Sequence, residues 1–132
     1  MQRASVMIVA ESPFQLTLMA DLLEANDIMT VRERSLDQAG RVLGRAAPTM
    51  VIVDLDLADG APQGVERLRK EAKRHDIPLL VVTDKGQRQV AEQVLKGCEA
   101  GTVEKPIDTS AFPRKVVAEI RRHTTRARPT QA

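Results

Sequence analysis

Short apolar runs alternate with helix-like segments along the chain, and four of these runs end in polar residues of different chemistry. The runs cover residues 6–9, 50–53, 79–82 and 102–104, and they lead to Glu11, Asp54, Thr83 and Lys105, respectively. Continuous apolar runs are typical of parallel strands that are covered on both faces. Because the carboxyl ends of parallel strands meet at one edge, we expect two carboxylates, a hydroxyl and an ammonium to lie there together.

The segments between the runs carry apolar residues at helical spacing, and a fifth run, residues 28–32, is polar enough for an edge strand. Five β-α repeats with short connections and right-handed crossovers favour a flavodoxin-like (βα)5 three-layer sandwich. Its five-stranded parallel sheet has the order 2-1-3-4-5. By composition, residues 59–64 are predicted to form a loop, and a helix is expected at about residues 90–95.

Composition limits the classes of protein to which the chain can belong. With 132 residues, 42% hydrophobic and 29% charged, it is predicted to be one globular domain, residues 1–121, followed by a basic disordered tail, residues 122–132. An aromatic content of 2% argues against base stacking, and the single cysteine excludes an internal disulfide. No apolar run approaches the roughly 20 residues of a membrane span, so we expect a cytoplasmic protein.

The polar residues at the strand ends suit one kind of chemistry. Glu11 and Asp54 follow neighbouring strands, and two close carboxylates need a cation or a shared proton. Mg²⁺ prefers such oxygens and keeps waters or a phosphate oxygen as further ligands. Lys105 adds a mobile charge and Thr83 a hydroxyl donor, which would neutralise a phosphoryl group attacked by Asp54.

In these segments the chain resembles the receiver domains of response regulators in two-component signalling, over about residues 5–121. The residue pair Lys105–Pro106 after the fifth strand is a specific mark of that family, and the resemblance implies that its peptide bond is cis. The resemblance also implies that Asp54 is the phosphoacceptor and that Thr83 is the switch hydroxyl. It implies that Lys105 contacts the phosphoryl group and that Mg²⁺ is bound by Glu11, Asp54 and the backbone carbonyl of Asp56.

The resemblance further implies a phosphorelay role. A histidine kinase or histidine phosphotransferase would supply the phosphoryl group, and the domain would catalyse its own phosphorylation and dephosphorylation rather than act as a conventional enzyme. Phosphorylation would switch a surface formed by the predicted fourth helix and fifth strand, residues 88–104. That surface would bind a downstream protein, a removed C-terminal output domain or a second copy of the chain, without direct contact with nucleic acid or membrane.

Three departures from the family pattern motivate an alternative. Ala10 stands where the family usually has an acid, which weakens the expected affinity for Mg²⁺. Asp84 follows the switch threonine where a small residue is usual, and Thr102 replaces an aromatic switch residue. The alternative is a pseudo-receiver, a protein-interaction module of the same fold that phosphorylation does not regulate.

Other readings have less support from the residues. Arg122 and Arg126 have a spacing that resembles the opening of cyclic-di-GMP-binding PilZ domains, whose remaining motifs are absent from this sequence. A flavodoxin-like cofactor enzyme is unsupported, because no Gly-rich phosphate loop follows the first strand. His75 and His123 lie in polar stretches without metal-ligand spacing, and we expect both to be solvated.

Overall fold

A computed structural model describes residues 4–55, 61–84 and 101–127, which form a five-stranded parallel sheet flanked by helices. The elements in chain order are β1 Ser5–Val9, α1 Pro13–Glu24, β2 Met29–Glu33, α2 Leu36–Ala46, β3 Met50–Asp54, α3 Ala61–Arg74, β4 Leu79–Thr83, β5 Gly101–Glu104 and α4 Ala111–Ala127. The strand order β2-β1-β3-β4-β5 confirms the predicted flavodoxin-like topology. The helix predicted at about residues 90–95 lies outside the described residues. Among the residues described, no helix is long and apolar enough to cross a bilayer.

The central strands are buried on both faces, as their continuous apolar runs predicted. Odd-numbered residues of β1, β3 and β4 form a core with α2 and α3 that includes Met7, Val51 and Val81. Even-numbered residues of the same strands form a second core with α1 and α4. Side chains on successive strand residues point to opposite faces, so residue parity decides which core each one joins.

Serine caps fix the starts of α1 and α2. The Ser12 hydroxyl accepts a hydrogen bond from the Gln15 N–H, and Pro13 occupies the first helical position. The Ser35 hydroxyl accepts from the Gln38 N–H in the same way. These side chains satisfy backbone donors that the first turn of a helix leaves without partners.

The start of α3 corrects the loop predicted for residues 59–64. The helix begins at Ala61, because Pro62 lies in the first turn, where the missing N–H of proline costs no helical hydrogen bond. Gly64 lies in the helix and packs against Leu36 of α2 so closely that a Cβ there would be 2.7 Å from Leu36 Cδ1. The glycine that suggested a loop therefore serves close helix packing.

Helix α4 extends past residue 121, where the sequence analysis placed the end of the domain. The helix continues through Ala127, so the predicted tail is helical over residues 122–127. His123 holds this last part of the helix, because its Nε2 lies 3.1 Å from the carbonyl oxygen of Asp76 and 3.2 Å from the Asp76 carboxylate. Both partners are acceptors, so Nε2 carries the proton and donates. The expectation that His123 is simply solvated was therefore wrong.

Glu119 connects α4 to the edge strand β5. Its carboxylate accepts hydrogen bonds from Arg122 and Lys115 and lies over Gly101, where a Cβ would be 2.7 Å from Glu119 Cδ. Burial raises the pKa of Glu119, but the hydrogen bonds and charges of Arg122 and Lys115 outweigh it and lower that pKa below its ordinary value. Glu119 therefore stays ionised and holds two cations of the same helix.

Two glycines of α2 offer a matched test of local packing. A Cβ on Gly40 would meet nothing within 4 Å, whereas a Cβ on Gly44 would lie 2.9 Å from the His75 ring. We expect Gly40→Ala to raise the free energy of unfolding by about 0.5–1 kcal/mol, because alanine favours the helix. Gly44→Ala should give no such gain in chemical denaturation, and adding His75→Ala should restore it. Equal gains from the two single substitutions would contradict this packing.

The lowered pKa of Glu119 predicts an acid-dependent contribution to stability. The folded-state pKa lies below the unfolded value of about 4.3, so the contribution is complete above that pH and disappears as the pH falls through the folded pKa. Glu119→Gln should therefore lower the melting temperature at pH 7, and the difference from wild type should vanish at acidic pH. Asp37→Asn, at the exposed pair with Arg41, is the control that should change little. A difference that persists unchanged below pH 3 would refute this origin.

Candidate functional site

Asp54 is the last residue of β3 and is almost completely buried. Its exposed fraction is 2%, which is unusual for an ionisable side chain. The residue pairs with Val82 of β4, and the next N–H, that of Leu55, still donates to the Val82 carbonyl at 2.9 Å. The ladder therefore continues past Asp54 and fixes its backbone at the carboxyl edge of the sheet.

Lys105 follows β5 and reaches the buried carboxylate. Its Nζ lies 2.8 Å from Asp54 Oδ1, although β4 lies between the two strands. Strands are about 4.8 Å apart, so only a long side chain can extend across one strand to the next. Val103 packs in the same core as Ile52, so alternation places Lys105 and Asp54 on a common face. The sequence prediction that these two residues meet is confirmed.

The backbone at Lys105 is equally well fixed. Its N–H donates to the carbonyl of Thr83 at 2.7 Å, which extends the β4–β5 ladder beyond the strand ends. The Lys105–Pro106 peptide bond is cis, as the resemblance implied. After it, the Asp108 carboxylate accepts from the N–H groups of Ser110 and Ala111 at the start of α4. These bonds, that from Ala111 first, lower the pKa of Asp108.

Thr83 ends β4 and is 1% exposed. It lies one residue beyond Val82, the partner of Asp54 in the ladder, and pairs with Glu104 on its other side. A hydroxyl is thus buried at the same sheet edge as the carboxylate and the ammonium. Asp84, next in the chain, is half-buried, so an additional carboxyl group follows this edge.

Glu11 lies at the end of β1, and its surroundings include a residue that the sequence reasoning missed. Val9 pairs with Val53, so Ala10 is level with Asp54 and Glu11 is one residue further along. The Glu11 side chain is exposed, but its carbonyl oxygen accepts two hydrogen bonds from Arg34, from Nε at 3.2 Å and from Nη2 at 3.1 Å. Arg34 follows the edge strand β2. A basic residue just after the predicted edge strand is the sequence feature that could have identified it.

The donor set fits Mg²⁺ in the way that proteins usually bind this ion. Glu11 and Asp54 provide carboxylates from neighbouring strands, and Mg²⁺ often takes one or two carboxylates while keeping several waters. Among the described residues no group of three or more His, Cys, Asp or Glu could hold a metal, which argues against a preformed transition-metal cage in that part of the chain. Asp56, whose carbonyl was predicted as a further ligand, lies outside the described residues.

This sequence matches a known family of domains. The sequence profile of the response regulator receiver domain family matches residues 6–117. The chain belongs to this family. The receiver domain is 30% identical to the polar-differentiation response regulator DivK of Brucella ovis over 110 residues, which cover 82% of this chain and 89% of DivK. The DivK of Brucella anthropi is 29% identical over the same length.

Solved structures show the same fold at low sequence identity. A sensor protein from Polaromonas sp. JS666 has a TM-score of 0.80 and 22% identity, covering 92% of this receiver domain and 99% of that chain. A CheY-like receiver domain protein from Methanospirillum hungatei JF-1 has a TM-score of 0.77 and 14% identity, covering 95% and 99%. These likenesses show that this receiver domain has the CheY-like flavodoxin fold.

Removal of the ammonium should destabilise the receiver domain because it leaves a buried carboxylate without its cation. We expect Lys105→Met to lower the free energy of unfolding by about 3 kcal/mol in Mg²⁺-free buffer, measured by urea denaturation. Adding Asp54→Asn should recover part of the loss, because the amide needs no counter-charge. Lys115→Met, which removes an exposed partner of Glu119, is the control and should cost under about 1 kcal/mol. Equal losses for the two lysine variants would contradict the buried pair.

Proposed function

We propose that this receiver domain accepts a phosphoryl group on Asp54 from a phosphohistidine of a histidine kinase or histidine phosphotransferase. The observation that carries the proposal is the buried carboxylate of Asp54 with the Lys105 ammonium 2.8 Å from it. Burial excludes water from a carboxylate that must form a hydrolysable acyl phosphate. Membership of the response regulator receiver family supports the same reaction.

The transfer is a substitution at phosphorus. A carboxylate oxygen of Asp54 forms the new P–O bond with its own electron pair, and the P–N bond of the phosphohistidine breaks, leaving its electron pair on the imidazole. The Lys105 ammonium lies beside Asp54 Oδ1, so its positive charge is next to the carboxylate that attacks phosphorus. The Thr83 hydroxyl donates to a phosphoryl oxygen. Both groups compensate the negative charge of the phosphoryl oxygens, which would otherwise repel the attacking carboxylate.

The same proposal assigns the metal. Glu11, Asp54 and the backbone carbonyl of Asp56 would hold one Mg²⁺. When bound, that ion neutralises charge on the phosphoryl oxygens. Ala10 contributes no oxygen ligand from its side chain, so we expect weaker binding than in receivers with an acid at that position.

Phosphorylation changes the charge at the sheet edge and so changes the partners of Thr83 and Lys105. The acyl phosphate carries more negative charge than the carboxylate it replaces and presents three acceptor oxygens. In the sequence, Thr83 and Lys105 lie on either side of residues 88–104, which we propose as the surface that binds a downstream protein, an output domain or a second copy of the chain. We place this function in the cytoplasm, without direct contact with nucleic acid.

Intact mass after incubation with acetyl phosphate and Mg²⁺ tests the assignment of Asp54. Wild type should gain the mass of one phosphoryl group, and Asp54→Asn should gain none. Asp56→Asn removes the carboxylate two residues away and should retain labelling, which makes it the matched control for general loss of charge. Labelling of Asp54→Asn at the wild-type level would show that the acceptor is elsewhere.

The pseudo-receiver is the second candidate, and the fully buried Ala10 favours it because the site lacks one of the acids usual in the family. On this reading the fold binds a partner without phosphotransfer. Absence of labelling in folded wild type, together with no Mg²⁺-dependent NMR shifts at Glu11 and Asp54 at millimolar metal, would establish this candidate over the first.

A further inference from the structure

Arg34 makes a specific contact at the sheet edge that none of the roles above explains. Its Nε and Nη2 both donate to the carbonyl oxygen of Glu11, at 3.2 and 3.1 Å, across 23 residues of sequence. Hydrogen bonds from a charged guanidinium are stronger than those from neutral donors, and the planar fork fixes the direction of approach. The contact therefore restrains the backbone of Glu11 rather than its carboxylate.

Glu33 and Arg34, at the end of β2, form hydrogen bonds with Ala10 and Glu11, the two residues that follow β1. The Ala10 N–H donates to the carbonyl of Glu33, the last residue of β2, at 3.0 Å, which extends the parallel ladder one residue beyond β1. At the next residue no strand pairing remains, and the Arg34 side chain provides the contact to Glu11. Ser12 then caps α1. Glu11 is thus fixed on both sides although it lies in a short connection.

This restraint matters because Glu11 is the single carboxylate that this segment can offer. Ala10, fully buried, has no oxygen on its side chain, so a metal at the edge would depend on one exposed glutamate from β1. An exposed glutamate loses rotational and backbone freedom when it binds a metal. A backbone already held in place reduces that loss, which is how residues behind metal ligands commonly raise affinity.

We propose that Arg34 is a positioning residue for Mg²⁺ binding, which it supports by holding the backbone of Glu11 in the geometry that metal binding requires. This inference rests on the proposed function, since it needs Glu11 to be a metal ligand. It adds a residue that directly follows β2, a strand that contributes no proposed ligand. It also explains how a receiver domain with alanine at position 10 can keep a functional metal site.

A simple charge effect would act in the opposite direction. A guanidinium near a dication repels it, so loss of Arg34 would strengthen Mg²⁺ binding if charge alone decided the outcome. Positioning predicts weaker binding on the same substitution. Arg34→Lys separates the two effects further, because it keeps the charge but replaces the planar fork with a single ammonium.

The test is Mg²⁺ titration followed by the backbone amide NMR shifts of residues 10–12, with wild type, Arg34→Ala and Arg34→Lys. We expect the dissociation constant for Mg²⁺ to rise about tenfold in Arg34→Ala and to rise by a smaller factor in Arg34→Lys. In acetyl phosphate labelling, the Mg²⁺ concentration for half-maximal rate should rise by the same factors, while the rate at saturating Mg²⁺ stays within about twofold of wild type.

Arg32→Ala is the matched control, because Arg32 is an exposed arginine of β2 that pairs with Glu24 and Asp21 rather than with Glu11. It should leave the Mg²⁺ dissociation constant unchanged. Unchanged affinity in both Arg34 variants would overturn the inference, as would tighter binding in Arg34→Ala with wild-type affinity in Arg34→Lys. Absence of Mg²⁺ shifts in wild type would instead overturn the proposed function and the inference together.

Discussion

The buried contact between Lys105 and Asp54 depends on the register of the sheet, and the rest of the site is arranged around it. Asp54 pairs with Val82 and Thr83 with Glu104, so both ladders run to the carboxyl edge before the chain turns away. The Lys105 N–H then binds the Thr83 carbonyl and directs the lysine side chain back across β4. A slip of one residue in either ladder would turn one partner to the opposite face and leave a charge buried alone.

A buried ion pair is weak evidence of selection for stability, because taking two charges out of water costs about as much as their attraction returns. Aliphatic residues fill the remainder of both cores in the described part of the chain, apart from Phe112. An apolar pair at positions 54 and 105 would suit such surroundings at least as well. The carboxylate and ammonium are therefore better explained by chemistry at this edge than by the needs of the fold.

Local patterns in the sequence predicted the structural features that depend on residues close together in the chain. Continuous apolar runs identified β1, β3 and β4. Apart from the contact between Asp54 and Lys105, which followed from the strand order, the sequence did not predict features set by distant contacts. His123, in the part of α4 beyond its expected end, contacts Asp76 across 47 residues, and Arg34 contacts Glu11 across 23. Gly64 suggested a loop because its packing against Leu36 of a different helix cannot be inferred from local composition.

The two sides of the site are held by different kinds of contact, and this difference assigns them different roles in the proposed reaction. On the β1–β2 side, Ala10 and Glu11 are fixed by contacts to their backbone atoms, which phosphorylation of Asp54 does not alter. On the β4–β5 side, the Lys105 backbone is held by the Thr83 carbonyl, but its ammonium pairs with the charge of Asp54 itself, which phosphorylation changes directly. On the proposed function, structural change therefore spreads from Thr83 and Lys105 towards the proposed surface, residues 88–104, while the β1–β2 side keeps Glu11 in place.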